Sequence, residues 1–314
     1  MQIALTEEAI RFTRAVEKLG AGSSRILLAV SGGPDSLAML LLAHAVMPNR
    51  IAVATVDHGL RPEGRAEAEY VGDLCANRNL PHSILTSEQP IVGNIQSSAR
   101  TARYDLLNHA ADQLDCAYIA TAHHADDQLE TLLMRLARGS GIDGMSGVRP
   151  RNGKIIRPLL EFSKLELEEI CQFERIGAVR DPSNDDVEFD RVAVRHWLGA
   201  APKLLNVSRA NQTASALQDA GAALSWMTDQ LAATRINRIA NEIQCDASFL
   251  PIELQRRLAL AALAMIDPDL LPRGETITRL IEDLTAGGTS TVGNILCTGG
   301  AIWRFSNAPP RRTG

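Results

Sequence analysis

Through the first two thirds of the chain, short unbroken apolar runs alternate with segments of helical pattern. Ile26-Leu-Leu-Ala-Val30 and Ile51-Ala-Val-Ala-Thr-Val56 have the length and composition of strands buried on both faces. Ser83-Ile-Leu85, Ala117 to Ala122 and Ile155 to Leu159 add three more short strands. Helices are predicted over 5–19, where Thr6 caps a first turn holding Glu7 and Glu8, then from Pro34 onward, over 62–79, over 96–114 and over 129–138. Ser163-Lys-Leu-Glu166 is a capping box that opens another, running to about Glu174, and Phe189 to Leu198 reads as a basic helix. Alternation of this kind builds an α/β domain around a doubly wound parallel sheet. Around Ala200-Ala-Pro202 it stops. Residues 204–240 read as mostly helix, helices near 251–266 and 274–286 follow, and the short runs from Thr289 to Phe305 read as a small hairpin. Two domains are expected, a larger α/β one over 1–202 and a smaller, mainly α-helical one over 203–314.

At 314 residues and 45% hydrophobic content the chain can bury two cores. Its longest apolar runs fall short of a membrane span and no charged-then-apolar leader opens it, so a soluble, cytoplasmic protein without a membrane partner is expected. Cys75, Cys116, Cys171, Cys245 and Cys297 are scattered, with no Cys-x-x-Cys among them. Buried thiols in a reducing compartment fit that spacing better than a zinc knot or an iron–sulfur cluster. The net charge of −5 says less than its distribution. Only four of the 32 basic residues are lysines. Arg135, Arg138, Arg149, Arg151, Lys154 and Arg157 stand against one acid, Asp143, a local net of +5. Arg191, Arg195, Lys203, Arg209, Arg235 and Arg238 stand against Asp219 and Asp229, a net of +4. Guanidinium groups suit bidentate contact with phosphate. Two basic zones therefore permit a polyanion partner, although solvated helix faces would look the same.

The candidate chemistry lies at the ends of strands, where open α/β sheets bind their ligands. Ser31-Gly-Gly-Pro-Asp-Ser36 follows the first strand and leads into a helix. Glycines allow a tight turn, Pro34 suits a first helical position, and the helix end is positive, which together make an anion site. It lacks the Lys of a Walker loop. Asp57-His58-Gly59 ends the second strand on the same rim. The fourth strand empties into His123-His-Ala-Asp-Asp-Gln-Leu-Glu-Thr131. There Asp127 and Glu130, three residues apart, share one face of a helix's first turn. Such a pair could bind a metal, bind an amine, or cap the helix. Arg100 and Arg103 share a face of the preceding helix, and a Gly- and Arg-rich loop over 139–150 has a length that tends to carry function.

The loop Ser31–Ser36 resembles the pyrophosphate-binding loop of the ATP pyrophosphatases, the PP-loop enzymes. With Asp57-His-Gly-Leu-Arg61, Ala99-Arg-Thr-Ala-Arg-Tyr104, His123 to Thr131 and Asp181-Pro-Ser-Asn184 in the same order, the chain resembles bacterial tRNA(Ile)-lysidine synthetase over nearly its whole length, loosely in the C-terminal part. The resemblance implies a Rossmann-like PP-loop catalytic domain followed by a tRNA-binding domain, and a two-step ligation. ATP adenylates the wobble cytidine of a tRNA(Ile) with a CAU anticodon, and the ε-amine of free lysine then displaces AMP to leave lysidine. It implies that Ala29, Ser31, Gly32, Gly33, Pro34, Asp35, Ser36, Val56, Asp57 and His58 bind ATP and that Asp35 holds Mg2+. Arg103, Asp127 and Glu130 would bind lysine, and His123, or else His124, would orient the base or a phosphate. Asp35, Arg103, Asp127, Glu130 and His123 are the catalytic set so implied. Arg135, Arg138, Arg149 and Arg151 would flank the site toward the anticodon, with Arg191, Arg195, Lys203 and Arg209 on the tRNA body. Oligomeric state stays open, a dimer included. The alternatives are a tRNA 2-thiolase on the same fold, disfavoured by the unpaired cysteines, and a non-catalytic nucleotide- or RNA-binding module.

Overall fold

The computed structural model describes residues 6–57, 59, 62–86, 95–177, 190–200 and 205–309, with backbone alone for 62, 95–99, 190 and 191. His58, Lys203 and the Asp181–Asn184 motif lie outside the described residues. By contact, residues 1–216 and 217–314 form two compact units, the division falling inside one long helix.

The first unit is built on a six-stranded sheet. Its strands are β1 (Ile26–Ala29), β2 (Ile51–Asp57), β3 (His82–Thr86), β4 (Tyr118–Ala120), β5 (Arg151–Asn152) and β6 (Ile155–Ile156), in the spatial order β3-β2-β1-β4-β6-β5. Every neighbouring pair is parallel except β5–β6. Because side chains alternate along a strand, Ile26, Leu28, Ile51 and Val53 enter one core with helices α1 (Glu7–Lys18), α2 (Pro34–Val46) and α7 (Lys164–Phe173). Leu27, Ala29, Ala52, Ala54 and Ile119 enter another against α4 (Ile95–Gln113). Both faces are covered, which is why these strands read as continuous apolar runs. The expected caps are present: Thr6 Oγ1 accepts from Ala9 N–H, and Ser163 and Glu166 form the capping box of α7.

Three further helices of this unit matter below: α3 (Pro62–Ala76), α5 (Ala125–Ala137) and α8 (Asp190–Ala200), with the single turn α6 (Ile142–Met145) between α5 and β5. The chain steps outward from β1 to β2 to β3, then returns to the other side of β1 as β4. Strand order therefore reverses between β1 and β4, and the crevice beyond their carboxyl ends is where such sheets take ligands.

The second unit contains the end of α9 (Val207–Arg235), the helices α10 (Ile252–Ala264) and α11 (Gly274–Thr285), and a five-stranded antiparallel sheet. That sheet runs β7 (Ile236–Ile239), β8 (Glu242–Cys245), β11 (Trp303–Asn307), β10 (Ile295–Thr298), β9 (Thr289–Val292). The expected terminal hairpin is the β9–β10 edge of it. Residues 236–239, expected as helix, form a strand because Ile236 joins Ile243 and Cys245 in the core behind α10 and α11. No helix among the described residues is long and apolar enough to cross a membrane.

Candidate active site at the switch point

The loop after β1 is stapled by one hydroxyl. Buried Ser36 accepts from the Ser31 N–H at 3.1 Å and donates to the Gly33 carbonyl at 2.9 Å, with Ser31 Oγ 3.3 Å away. Gly32 has φ +89°, a conformation that side chains rarely adopt. Gly33 is in ordinary extended backbone, and an added Cβ would meet only Ser31 Oγ, at 3.7 Å. Among the described residues nothing requires glycine there, so the bare surface suits a ligand lying close to the backbone. Pro34 is the first helical residue and Asp35 follows it. Ala29 is buried and Val56 half-buried, at the ends of the two strands beside the loop. Asp57 Oδ1 accepts from the Gly59 N–H at 2.9 Å, which fixes the turn after β2.

The second centre is the start of α5. This helix begins at Ala125, earlier than expected, which places Asp127 in its first turn and Glu130 in its second, still on one face. His124 caps it, and Asp127 Oδ2 accepts the His124 N–H at 3.1 Å. The buried His124 ring lies among three carboxylates. Nε2 is 3.5 Å from Asp35 Oδ2 and 3.7 Å from Asp127 Oδ2, and Nδ1 is 3.5 Å from Asp126 Oδ2. Burial lowers its pKa, but hydrogen bonding to Asp126 and Asp35 and the charge of Asp127 outweigh burial and push it up to about 10. At neutral pH an imidazolium therefore joins the loop helix to the acid-bearing helix. Asp126 also accepts from Lys164 N–H at 2.7 Å, tying α5 to the start of α7.

His123 is different. Burial, reinforced by Arg157, Arg103 and Arg100 and opposed by Asp127, brings its pKa down to about 4. Its Nδ1 shares a hydrogen bond with Thr121 Oγ1 at 3.0 Å. The two histidines, indistinguishable in the sequence, thus differ at neutral pH: His124 is favoured as the imidazolium and His123 as the uncharged ring.

Arg195 was expected on the tRNA body, and the structure places it elsewhere. Reaching from α8, its Nε donates to Glu130 Oε1 at 2.5 Å, and its Nη2 lies 3.6 Å from Asp127 Oδ1. Burial works against its charge, but Glu130 and Asp127 hold its pKa up. Glu130 is only 4% exposed, and a carboxylate so buried needs an opposite charge nearby. Arg151 also departs from expectation. It does not flank the crevice: its guanidinium lies over the Tyr118 ring and donates to the Leu19 and Gly153 carbonyls, at the amino-terminal end of β4. Arg135, Arg138, Arg149 and Arg209 are exposed. The Arg191 side chain is outside the described residues, as are His58 and Lys203.

Arg103 stands on α4 beside Arg100 and Tyr104, its pKa lowered by burial. The loop beyond α6 is held by Gln128, a buried residue of α5 whose amide donates to the Val148 carbonyl at 3.2 Å and accepts from the Val148 N–H at 2.5 Å. Gly147, at φ +67°, passes so close that a Cβ would overlap the Gln128 side chain. Asp35 Oδ1 is buried without a hydrogen-bond partner. No cluster of three or more His, Cys, Asp or Glu among the described residues is arranged to hold a metal. One open carboxylate oxygen beside a phosphate cradle fits Mg2+, which is held by one or two carboxylates together with phosphate oxygens.

A family model described as the PP-loop domain matches residues 5–201. The tRNA(Ile)-lysidine synthase of Zymomonas mobilis is 39% identical over 299 residues, covering 92% of this chain and 90% of the relative. That of Novosphingobium aromaticivorans is 39% identical over 303 residues, covering 93% and 91%. Among solved structures, the U34-tRNA thiolase NcsA from Methanococcus maripaludis, with its 4Fe-4S cluster, superposes with a TM-score of 0.52 at 17% identity, over 68% of this chain and 81% of that one. At that identity the likeness is one of fold.

Proposed function

The chain belongs to the tRNA(Ile)-lysidine synthase family, and on that premise we propose how its residues divide the reaction. The activity is the ATP-dependent ligation of lysine to the wobble cytidine of a tRNA(Ile) with a CAU anticodon. It runs through an adenylated cytidine and yields lysidine, AMP and pyrophosphate. The observation that carries the division of labour is the His124 bridge. One buried imidazolium touches Asp35 on the loop helix and Asp127 on the acid helix, so the adenylation and amine sites share a wall.

The backbone of Ser31 to Ser36 receives the β- and γ-phosphates, and the positive end of α2 favours the pyrophosphate as it departs. Ala29 and Val56 border the adenine, and Asp57 and His58 complete the ATP-binding set. Asp35 would hold Mg2+ through its unpartnered oxygen, and the chemistry supplied there would be neutralisation of phosphate charge. His124 keeps Asp35 and Asp127 from repelling each other and orients both. Asp127 and Glu130 bind the lysine amines in exchange for their contacts with Arg195. Arg103 carries positive charge toward the reacting base, and His123, uncharged, orients it. Arg135, Arg138 and Arg149 meet the anticodon arm. Arg191, Lys203 and Arg209, with the C-terminal unit, meet the body of the tRNA through phosphates.

A thiolase reading asks for reactive sulfur, and the cysteines oppose it. All five are free and buried. Burial pushes the thiols of Cys75, Cys171 and Cys297 up to about 11 and that of Cys245 to about 12, with Cys116 also raised. Thiols in that state are inert. The test of the ligase reading is incorporation of labelled lysine into unmodified tRNA(Ile) carrying CAU, with ATP and Mg2+. Label should enter that tRNA. A folded protein that binds ATP yet transfers no label would refute the reading.

A further inference from the structure

Arg157 ends the first basic stretch, which was expected to flank the active site toward the anticodon. It leaves β6, where parallel pairing of Ile156 with Ala120 and the Thr121 N–H on the Ile156 carbonyl (3.0 Å) place it beside the exit of β4. Thr121 in turn holds His123. Arg157 is 7% exposed. Its Nη1 donates to the Arg149 carbonyl at 2.6 Å and its side chain bonds Tyr104, while its buried Nε has no partner. None of these partners carries a negative charge. Among the described residues no carboxylate lies within ion-pair distance of Arg157, and its charged neighbour Arg100 has the same sign. Arg100 lies over the Tyr104 ring, and Arg103 shares its helix face.

Burying a guanidinium without a counter-charge is costly, and such a group is retained where an anion arrives to neutralise it. Charges of both signs bear on His123, Asp127 on the one hand and Arg157, Arg103 and Arg100 on the other. Asp127 and its helix neighbour Glu130 suit amines, and the guanidinium groups suit an oxyanion. That is the charge pattern of an amino acid, and a diamine has no group for the basic side. We propose that Arg157, flanked by Arg100 and Arg103, binds the α-carboxylate of the incoming lysine and makes the site select the amino acid over a diamine of the same length. The proposal rests on the ligase reading above.

The probe is cadaverine, which is lysine without its carboxylate, offered in place of lysine to the wild-type enzyme with ATP, Mg2+ and tRNA(Ile). The modified nucleoside is identified by mass. Wild type should use lysine with a kcat/KM about 100-fold above that for cadaverine, given the strength of charge-assisted bonds in a buried site. Arg157→Gln keeps a donor for the Arg149 carbonyl and removes the charge. It should lower kcat/KM for lysine about 10- to 100-fold while that for cadaverine stays within about twofold. Equal use of the two amines by wild type, which requires no variant to fold, overturns the proposal. So does an Arg157→Gln enzyme that loses both amines alike, the signature of a contact to a tRNA phosphate or of a purely structural role, or one that loses neither. If wild type transfers neither amine while still binding ATP, the ligase reading itself fails and the subsite falls with it.

Discussion

Replacing His124 with Gln removes the charge that joins the two halves of the site while keeping a side chain of similar length. A His of ordinary pKa 6.5 held at about 10 in the folded protein is linked to stability with a definite sign. A raised pKa means that the stabilisation is complete below about pH 6.5 and is lost as pH climbs through the folded value. At 1.36 kcal/mol per unit, the contribution remaining at pH 7 is about 4 kcal/mol. Its ring is 4% exposed, so solvent screening takes little away. His124→Gln also leaves Asp35, Asp126 and Asp127 facing one another uncompensated. The expected cost at pH 7 is therefore about 3–4 kcal/mol, a large share of a typical domain's stability. Urea unfolding of wild type and variant, followed by far-UV circular dichroism at pH 7 and again at pH 10.5, measures it. The gap should shrink to about 1 kcal/mol or less at the higher pH, where the wild-type ring has lost its proton. A gap of equal size at both pH values would refute the reasoning, because the loss would then be one of packing rather than of charge.

Arg195→Gln should tighten lysine binding in the absence of tRNA about fivefold. The guanidinium that occupies the amine position is one third exposed, and displacing such a pair costs about 1 kcal/mol. Calorimetric titration with lysine checks this, and an unchanged or weaker affinity would remove Arg195 from the amine's place. The lowered pKa of His123 runs the other way: its uncharged state supports stability above about pH 6.5, and that support fades as pH falls toward 4. His123→Asn should flatten the acid limb of the stability profile, narrowing the loss between pH 7 and pH 4 by about 2 kcal/mol. An acid limb as steep as that of wild type would contradict the assignment. Alanine at Arg135, Arg138 and Arg149 together should weaken tRNA binding and reduce the slope of log Kd against log salt by about 2–3, with ATP binding untouched. An unaltered slope would make them ordinary surface.

The parts of this site that were legible in the sequence are those governed by local rules. Gly32 at positive φ, Pro34 at a first helical position and the i, i+3 spacing of Asp127 and Glu130 are read from neighbours in the chain. The alternation of apolar runs likewise follows from a sheet covered on both faces. What escaped depends on contacts between distant segments. Arg195 lies 65 residues beyond Glu130, and in sequence it is one arginine in a basic helix. Arg157 and Arg151 look alike in the sequence, yet Arg157 bonds the Arg149 carbonyl and Tyr104 whereas Arg151 lies over Tyr118. The choice between His123 and His124 turns on which ring meets three carboxylates and which meets arginines. In the second unit, β7 and β8 were hidden because their turn, Ala240-Asn241, contains no glycine and continues an Ala-rich helical pattern.

The central claim is that the loop after β1 performs adenylation and that the acids of α5 serve the amine in a separate step. Asp127→Asn tests it most directly. Enzyme, ATP labelled at the α-phosphate, Mg2+ and tRNA(Ile) with CAU are mixed first, and lysine is added afterwards. Wild type should place labelled AMP on the tRNA and lose it promptly when lysine arrives. The variant should place the same AMP on the tRNA and retain it, with lysine transfer slowed about 100-fold or more for want of a charge-assisted contact to the ammonium. A variant that fails to load AMP as completely as it fails to transfer lysine would contradict the division of the site.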